Sequence, residues 1–290
     1  MNADRPDDSA PARRGDALRS LHKKLAKSAP TPLTAAPASA IVYRRDLPRA
    51  APHTAPADPG GICIPLERLV QGIEAPSPRG PGFYLIESPA GEALASAVPR
   101  ALAALSPDSG VALTPNDACF LDIETTGLGT ALTFLIGTLV WSGGQPVCRQ
   151  LLARTYAEEA SILHAFAEQA GRTPLLVTFN GKTFDVPSLR ARAAAAGVEL
   201  PEPRFHFDLL HIARRRYADT LPDCRLQTLE RILCRRHRVG DIAGADIGRA
   251  YHDFVRTGDA RELALIIQHN RQDLLTVAEL MAKMLSMRDT

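Results

Sequence analysis

Phe120-Leu121-Asp122-Ile123-Glu124-Thr125-Thr126-Gly127 decides the reading of this chain. Phe120, Leu121 and Ile123 have the apolar character of a buried strand, and two carboxylates interrupt them. Successive side chains on a strand point to opposite faces, so Asp122 and Glu124 project together. Neighbouring carboxylates repel and desolvate poorly unless a cation lies between them. A hard cation with oxygen ligands, Mg²⁺ or Mn²⁺, suits such a pair. Thr125-Thr126-Gly127 then turns the chain. Taken alone, the stretch also fits an edge strand with both acids on its wet face.

Toward the C-terminus, the pattern predicts strands over Cys119–Glu124, Thr133–Trp141 and Pro146–Ala153, the last two joined at Ser142-Gly143-Gly144. Tight turns between them make an antiparallel meander. A helix over Glu158–Ala170, a strand over Leu175–Phe179, a helix over Phe184–Ala196 closed by Gly197 and a strand over Arg204–Asp208 follow. A strand flanked by helices runs parallel to its neighbour, so Leu175–Phe179 is expected parallel to the first strand. The expected fold class is α/β: a mixed sheet of three antiparallel strands followed by parallel strands, covered by helices.

Toward the N-terminus the signals fade. Residues 1–58 read as a disordered basic tail rich in Pro and Ala, with one short amphipathic helix possible over Asp16–Lys27. Residues 59–115 read as a small lead-in segment packed on the main domain, with strands at Ile62–Val70 and Phe83–Glu87 and a helix at Glu92–Leu105. The main domain is expected over 116–286.

Composition narrows the class. The chain has 34 Lys+Arg against 32 Asp+Glu, which supplies no bulk electrostatic argument. Its five cysteines, Cys63, Cys119, Cys148, Cys224 and Cys234, show no paired spacing, which argues for reduced thiols and against a zinc site. No apolar run reaches the ~18 residues of a membrane span, and the polar start shows no secretory signal. A cytoplasmic protein without membrane contact is expected.

Two more stretches carry acids where acids are costly. In Val177-Thr178-Phe179-Asn180-Gly181-Lys182-Thr183-Phe184-Asp185, a strand runs into a turn and Asp185 opens a helix. The end of a strand in an α/β sheet is where ligands bind, although Asp185 also suits the helix dipole there. In the helix expected over Ala260–Met284, Leu263, Ile266, Ile267, Leu274, Val277 and Leu280 form the buried stripe, with Asn270 and Asp273 on or beside it. His269 stands four residues before Asp273, on the same face. The alternatives to a metal role are an Asp273 at the stripe edge reaching water, or one paired with Arg.

In this order, Asp122-x-Glu124, Asn180-x4-Asp185 and His269-x3-Asp273 resemble the three exonuclease motifs of the DEDD superfamily in the ribonuclease H-like fold. More closely, Phe120–Gly127, Thr178–Asp185, His206–His211, Cys224–Glu230 and His269–Leu275 resemble the YprB-type ribonuclease H-like domain. The resemblance implies a metal-dependent 3′→5′ exonuclease on DNA or RNA, working with two Mg²⁺ or Mn²⁺ ions. It assigns Asp122, Glu124, Asp185 and Asp273 as metal ligands, with Asp122 bridging, and His269 as the proton acceptor. One departure is visible: the histidine branch of that superfamily usually has its His five residues before the last Asp, not four.

Two ions can stabilise both the attacking and the leaving oxygen of a phosphodiester, and four carboxylates offset their charge. Thr126 and Gly127 through backbone amides, with Asn180, Lys182 and Arg225, are candidate contacts to a single-stranded 3′ end. Arg214-Arg215-Arg216 and Arg235-Arg236-His237-Arg238 suit phosphate recognition or solvated helix faces equally. Asp208 and His211 are candidates to support the ligands, and Asp208 equally suits a helix cap. The other functional readings are a non-catalytic nucleic-acid-binding module of the same fold and a hydrolase of another phosphoester.

Overall fold

The computed structural model describes residues 63–103, 113–129 and 131–286. The expected tail, 1–58, with its short helix, lies outside them. Among the described residues, one sheet runs in the order β1 (Ile73–Ala75), β2 (Phe83–Pro89), β5 (Gln145–Leu152), β4 (Thr133–Ser142), β3 (Ala118–Thr125), β6 (Leu175–Thr178), β7 (Phe205–Asp208). The meander β3–β4–β5 is antiparallel, and β6 and β7 pair parallel beside β3. This is the mixed sheet that the sequence implied.

The lead-in differs from expectation in detail. Its first expected strand is a short helix, α1 (Leu66–Leu69), after Pro65. Pro65 holds φ at −68° and Leu66 is buried while Glu67 and Arg68 are exposed, which fits one helical turn rather than strand alternation. The strand falls instead at β1, and β1 and β2 extend the same sheet antiparallel, β2 against β5.

Helices α2 (Glu92–Ala103), α3 (Glu159–Ala170), α4 (Asp185–Ala195), α5 (Leu209–Tyr217), α6 (Leu226–Leu229), α7 (Gly244–Thr257) and α8 (Arg261–Ser286) cover the sheet. A π-helical turn, Glu230–Cys234, continues α6. Strand alternation splits the core in two. Cys119 and Leu121 face one cluster, with Ile162, Phe166, Leu189 and Tyr251. Ala118 and Phe120 face the other, with Leu102, Ile212, Val277 and Met281.

Helix α8 belongs to both clusters. Leu263, Ile266 and Ile267 sit in the first, and Leu274, Val277 and Leu280 in the second. Asn270 and Asp273 lie where the helix passes between them. On β3, Asp122 and Glu124 continue the face of Ala118 and Phe120. The two acidic stretches therefore meet at the seam between two apolar cores.

Candidate active site

The seam is built by close approach. Asp122 pairs with Gly137 across the β3–β4 ladder. A Cβ on Gly137 would lie 2.0 Å from Asn270 Oδ1, so glycine there lets α8 lie against the sheet. The fully buried Asn270 then donates from Nδ2 to Asp122 Oδ2 at 2.8 Å and to the Asp122 carbonyl at 3.1 Å. Gln150 fixes that amide by donating to Asn270 Oδ1 at 2.9 Å and to the Ile267 carbonyl at 2.7 Å. A bulge between Glu124 and Thr125 ends the regular pairing of β3 beside the acids, as bulges often do at sites.

Asp185 arrives from the other side. β6 pairs β3 only as far as Phe120 and stops at Thr178. The Ile123 N–H, beyond the reach of that short strand, donates instead to Asp185 Oδ1 at 3.2 Å. The turn that delivers Asp185 is pinned by Asp208, fully buried at the end of β7. Asp208 accepts from the backbone N–H of Asn180 at 2.8 Å and of Lys182 at 3.0 Å. It also caps α5 by accepting from Leu210 N at 3.1 Å, the cap the sequence allowed.

The carboxylates perturb one another. Burial, then the charges of Asp273, Glu124 and Asp185, hold the Asp122 carboxyl well above the usual carboxylate range, against the Asn270 hydrogen bond. Burial pushes Glu124 up to about 8; His269 opposes the shift, and Asp273, Asp185 and Asp241 add to it. Burial raises Asp185 to about 7, opposed by backbone N–H donors and reinforced by Asp208 and Asp273. Asp273 is raised as well, chiefly by burial, although Arg238 and His269 pull the other way.

At the rim, His269 Nδ1 lies 2.6 Å from Asp241 Oδ1 and Nε2 lies 3.5 Å from Asp273 Oδ2. The Asp241 pKa is lowered, since burial is outweighed by His269 and Arg238; an ionised carboxylate only accepts, so Nδ1 carries the proton. Burial would lower the His269 pKa, but Asp241, Asp273 and Glu124 outweigh it and set it at about 9. The Arg238 guanidinium pairs with Asp273 and Glu230, and reaches Asp241 at 3.4 Å. Glu230, itself buried, also accepts from Thr276 Oγ1 at 2.9 Å and from Gln272.

The donor set suits a hard divalent cation. Asp122, Glu124 and Asp185 offer carboxylate oxygens, are raised by burial, and form no ion pair with Lys or Arg among the described residues. As these side chains stand, among the described residues no group of three or more His, Cys, Asp or Glu is placed to hold a metal ion. Asp273 is turned to Arg238, the Asp–Arg pairing that the sequence left open.

The structure thus brings Asp122, Glu124, Asp185, Asp273 and His269 together. The five expected strand contacts are more scattered. The Thr126 amide is committed to the Leu132 carbonyl at 2.9 Å, and the Gly127 carbonyl accepts from Thr125 Oγ1 at 2.6 Å. Asn180 (φ 66°) and the exposed Lys182 lie on the turn before Asp185, their amides held by Asp208. Arg225 is exposed at the start of α6. Asp241, Gln150 and Gly137 went unread in the sequence. Only the glycine inside the apolar run of β4 carried a cue, since glycine in a strand marks close backbone approach.

Among the described residues no helix is long and apolar enough to cross a membrane. The chain is 32% identical over 170 residues to the uncharacterized protein YprB of Bacillus subtilis (strain 168). That match covers 57% of this chain and 41% of the relative, so the chain spans about two fifths of that protein's length. Among solved structures, it resembles the family B DNA polymerase from the hyperthermophilic archaeon Pyrobaculum calidifontis with a TM-score of 0.46 and 17% identity, over 58% of this chain and 24% of that one. A model of the RNase H superfamily matches residues 119–285, from β3 to the end of α8. The chain belongs to the RNase H superfamily.

Proposed function

We propose that this chain is a divalent-metal-dependent nuclease that hydrolyses DNA or RNA from a single-stranded 3′ end. Family membership supports a nuclease-type function. The observation that carries the finer reading is the meeting of buried Glu124 and Asp185 with half-buried Asp122 and Asp273, each raised by desolvation and by at least one other acid. Four oxygen-donor side chains in one pocket would hold Mg²⁺ or Mn²⁺, which supplies charge to stabilise the attacking and leaving oxygens of a phosphodiester.

The protein's own groups supply the rest. Asn270 and Gln150 orient Asp122, and Ile123 N–H orients Asp185. Asp241 fixes the imidazole of His269 with Nε2 turned to the pocket, the arrangement of a base and its orienting acid. With bound cations offsetting the carboxylates that raise its pKa, a neutral His269 would accept the proton of the attacking water at Nε2. Exposed Leu128 and Phe184, at the ends of the two turns that carry Glu124 and Asp185, offer apolar surfaces on which terminal bases can stack.

The test is incubation of the purified chain with a labelled oligonucleotide, single-stranded and duplex, DNA and RNA, with Mg²⁺ or Mn²⁺. Stepwise shortening from the 3′ end, lost in EDTA and in Asp122→Asn, supports the reading. Intact substrate under every condition would falsify it, and internal cuts would replace exonuclease with endonuclease.

A further inference from the structure

Beside the carboxylates lies a cavity of about 420 Å³ lined by Gln227, Thr228, Arg231, Arg236, His237 and Arg238, with Glu230 and Asp241. That size falls within the roughly 300–1,000 Å³ of ligand pockets. It adjoins the catalytic seam directly, because Arg238 also holds Asp273 and Asp241 also holds His269.

Its acids are already engaged from within. Glu230 accepts from Gln272, Thr276 and Arg238, and Asp241 from His269. Its cations are not all engaged. Arg231 and His237 are exposed and form no ion pair among the described residues. Arg236 is 8% exposed, and its Nε is a buried donor without an acceptor, although the same guanidinium pairs with Glu279 and reaches Glu230 at 4.0 Å. A buried N–H left unmade is costly, and guanidinium groups match phosphate oxygens. A wall of surplus donors, with its carboxylates neutralised, selects an anion.

We propose that this cavity is a backbone-phosphate subsite, which seats the nucleotide next to the one being cut. The inference rests on the nuclease reading for what the neighbouring site does, but not for what the cavity binds. Arg231 and His237 supply charge and hydrogen bonds at its mouth, and Arg236 at its wall. Contacts to phosphate position a strand without reading its bases, so the subsite accepts any sequence.

The experiment measures fluorescence anisotropy of a labelled single-stranded oligonucleotide with the full chain in EDTA, over a salt series. Wild type is compared with Arg231→Ala and His237→Ala, both exposed positions where alanine leaves the core intact. The expected result is weaker binding in Arg231→Ala, by about fivefold or more at low salt, with a log–log salt slope shallower by about 0.7. Unchanged affinity and slope in both variants, or no binding by wild type, overturns the subsite. If affinity falls in the variants but wild type cleaves nothing with Mg²⁺ or Mn²⁺, the subsite stands and the nuclease reading falls. If wild type cleaves and the variants bind equally well, the nuclease reading stands and the subsite falls.

Discussion

Asp122 is an acid surrounded by acids, and that makes its substitution informative in two opposite ways. Asn keeps an acceptor for the Asn270 donor but removes a charge that burial and three neighbouring carboxylates disfavour. Asp122→Asn is expected to cut activity on the order of a thousandfold while raising the melting temperature of the metal-free protein, by about 2–4 °C per kcal/mol relieved. A fall in that melting temperature would count against the crowded-carboxylate account. Asp241→Asn is expected to slow turnover about 10–100-fold and to move the His269 pKa down from about 9, read by NMR titration of the imidazole. An unmoved imidazole would remove Asp241 from its orienting role.

At this scale the sequence was legible where periodicity applies. Asp122 and Glu124 could be placed on one face because strands alternate, and His269 and Asp273 because helices repeat near four residues. Asp241 could not, since it sits in an irregular loop between Cys234 and α7 where no period constrains it. Arg238 read as a surface cation in a basic cluster; its guanidinium is instead turned inward by Glu230 and Asp273.

Elements bring these residues together because α8 serves both cores and crosses the sheet where Gly137 lets it approach. Gly137→Ala tests this. The added methyl group meets Asn270, so either α8 lifts or the amide loses Asp122. Overpacking of this kind costs about 1–3 kcal/mol. A lowered melting temperature together with reduced activity is expected; full activity at unchanged stability would show that the approach is looser than described.

A second close approach aims the turn after β3. Tyr251 of α7 stacks on Phe134 of β4, with ring centroids 4.0 Å apart, and a Cβ on Gly248 would lie 2.4 Å from the Thr126 carbonyl. The meander β3–β5 and the helices α3, α4 and α8 were legible because they are long enough to repeat their period, and the short β6 and β7 because turns and helices bound them. The lead-in was not, because a four-residue helix and a three-residue strand are too short for either pattern to repeat.

For the whole molecule, the surplus of buried negative charge links stability to pH and to metal. Glu124 rises from 4.5 to about 8 and Asp185 from 3.8 to about 7 on folding. A raised carboxyl favours the folded state at pH below its unfolded value and loses that contribution as pH rises through its folded value. His269, raised from 6.5 to about 9, acts in the same direction: its contribution is complete below its unfolded value and lost through about 9. The metal-free protein is therefore expected to melt at a lower temperature near ~pH 8 than near ~pH 6. Mn²⁺ should restore more stability at the higher pH, because it binds deprotonated ligands. Equal melting curves at both pH values, with and without Mn²⁺, would contradict this.

On the proposed function, four acids distant in sequence converge to hold divalent cations. Anomalous diffraction from crystals grown with Mn²⁺ and a nucleoside 5′-monophosphate tests it most directly. Two peaks are expected among Asp122, Glu124, Asp185 and Asp273, with Arg238 released from Asp273. No peak there, with the Arg238–Asp273 pair intact, would contradict it.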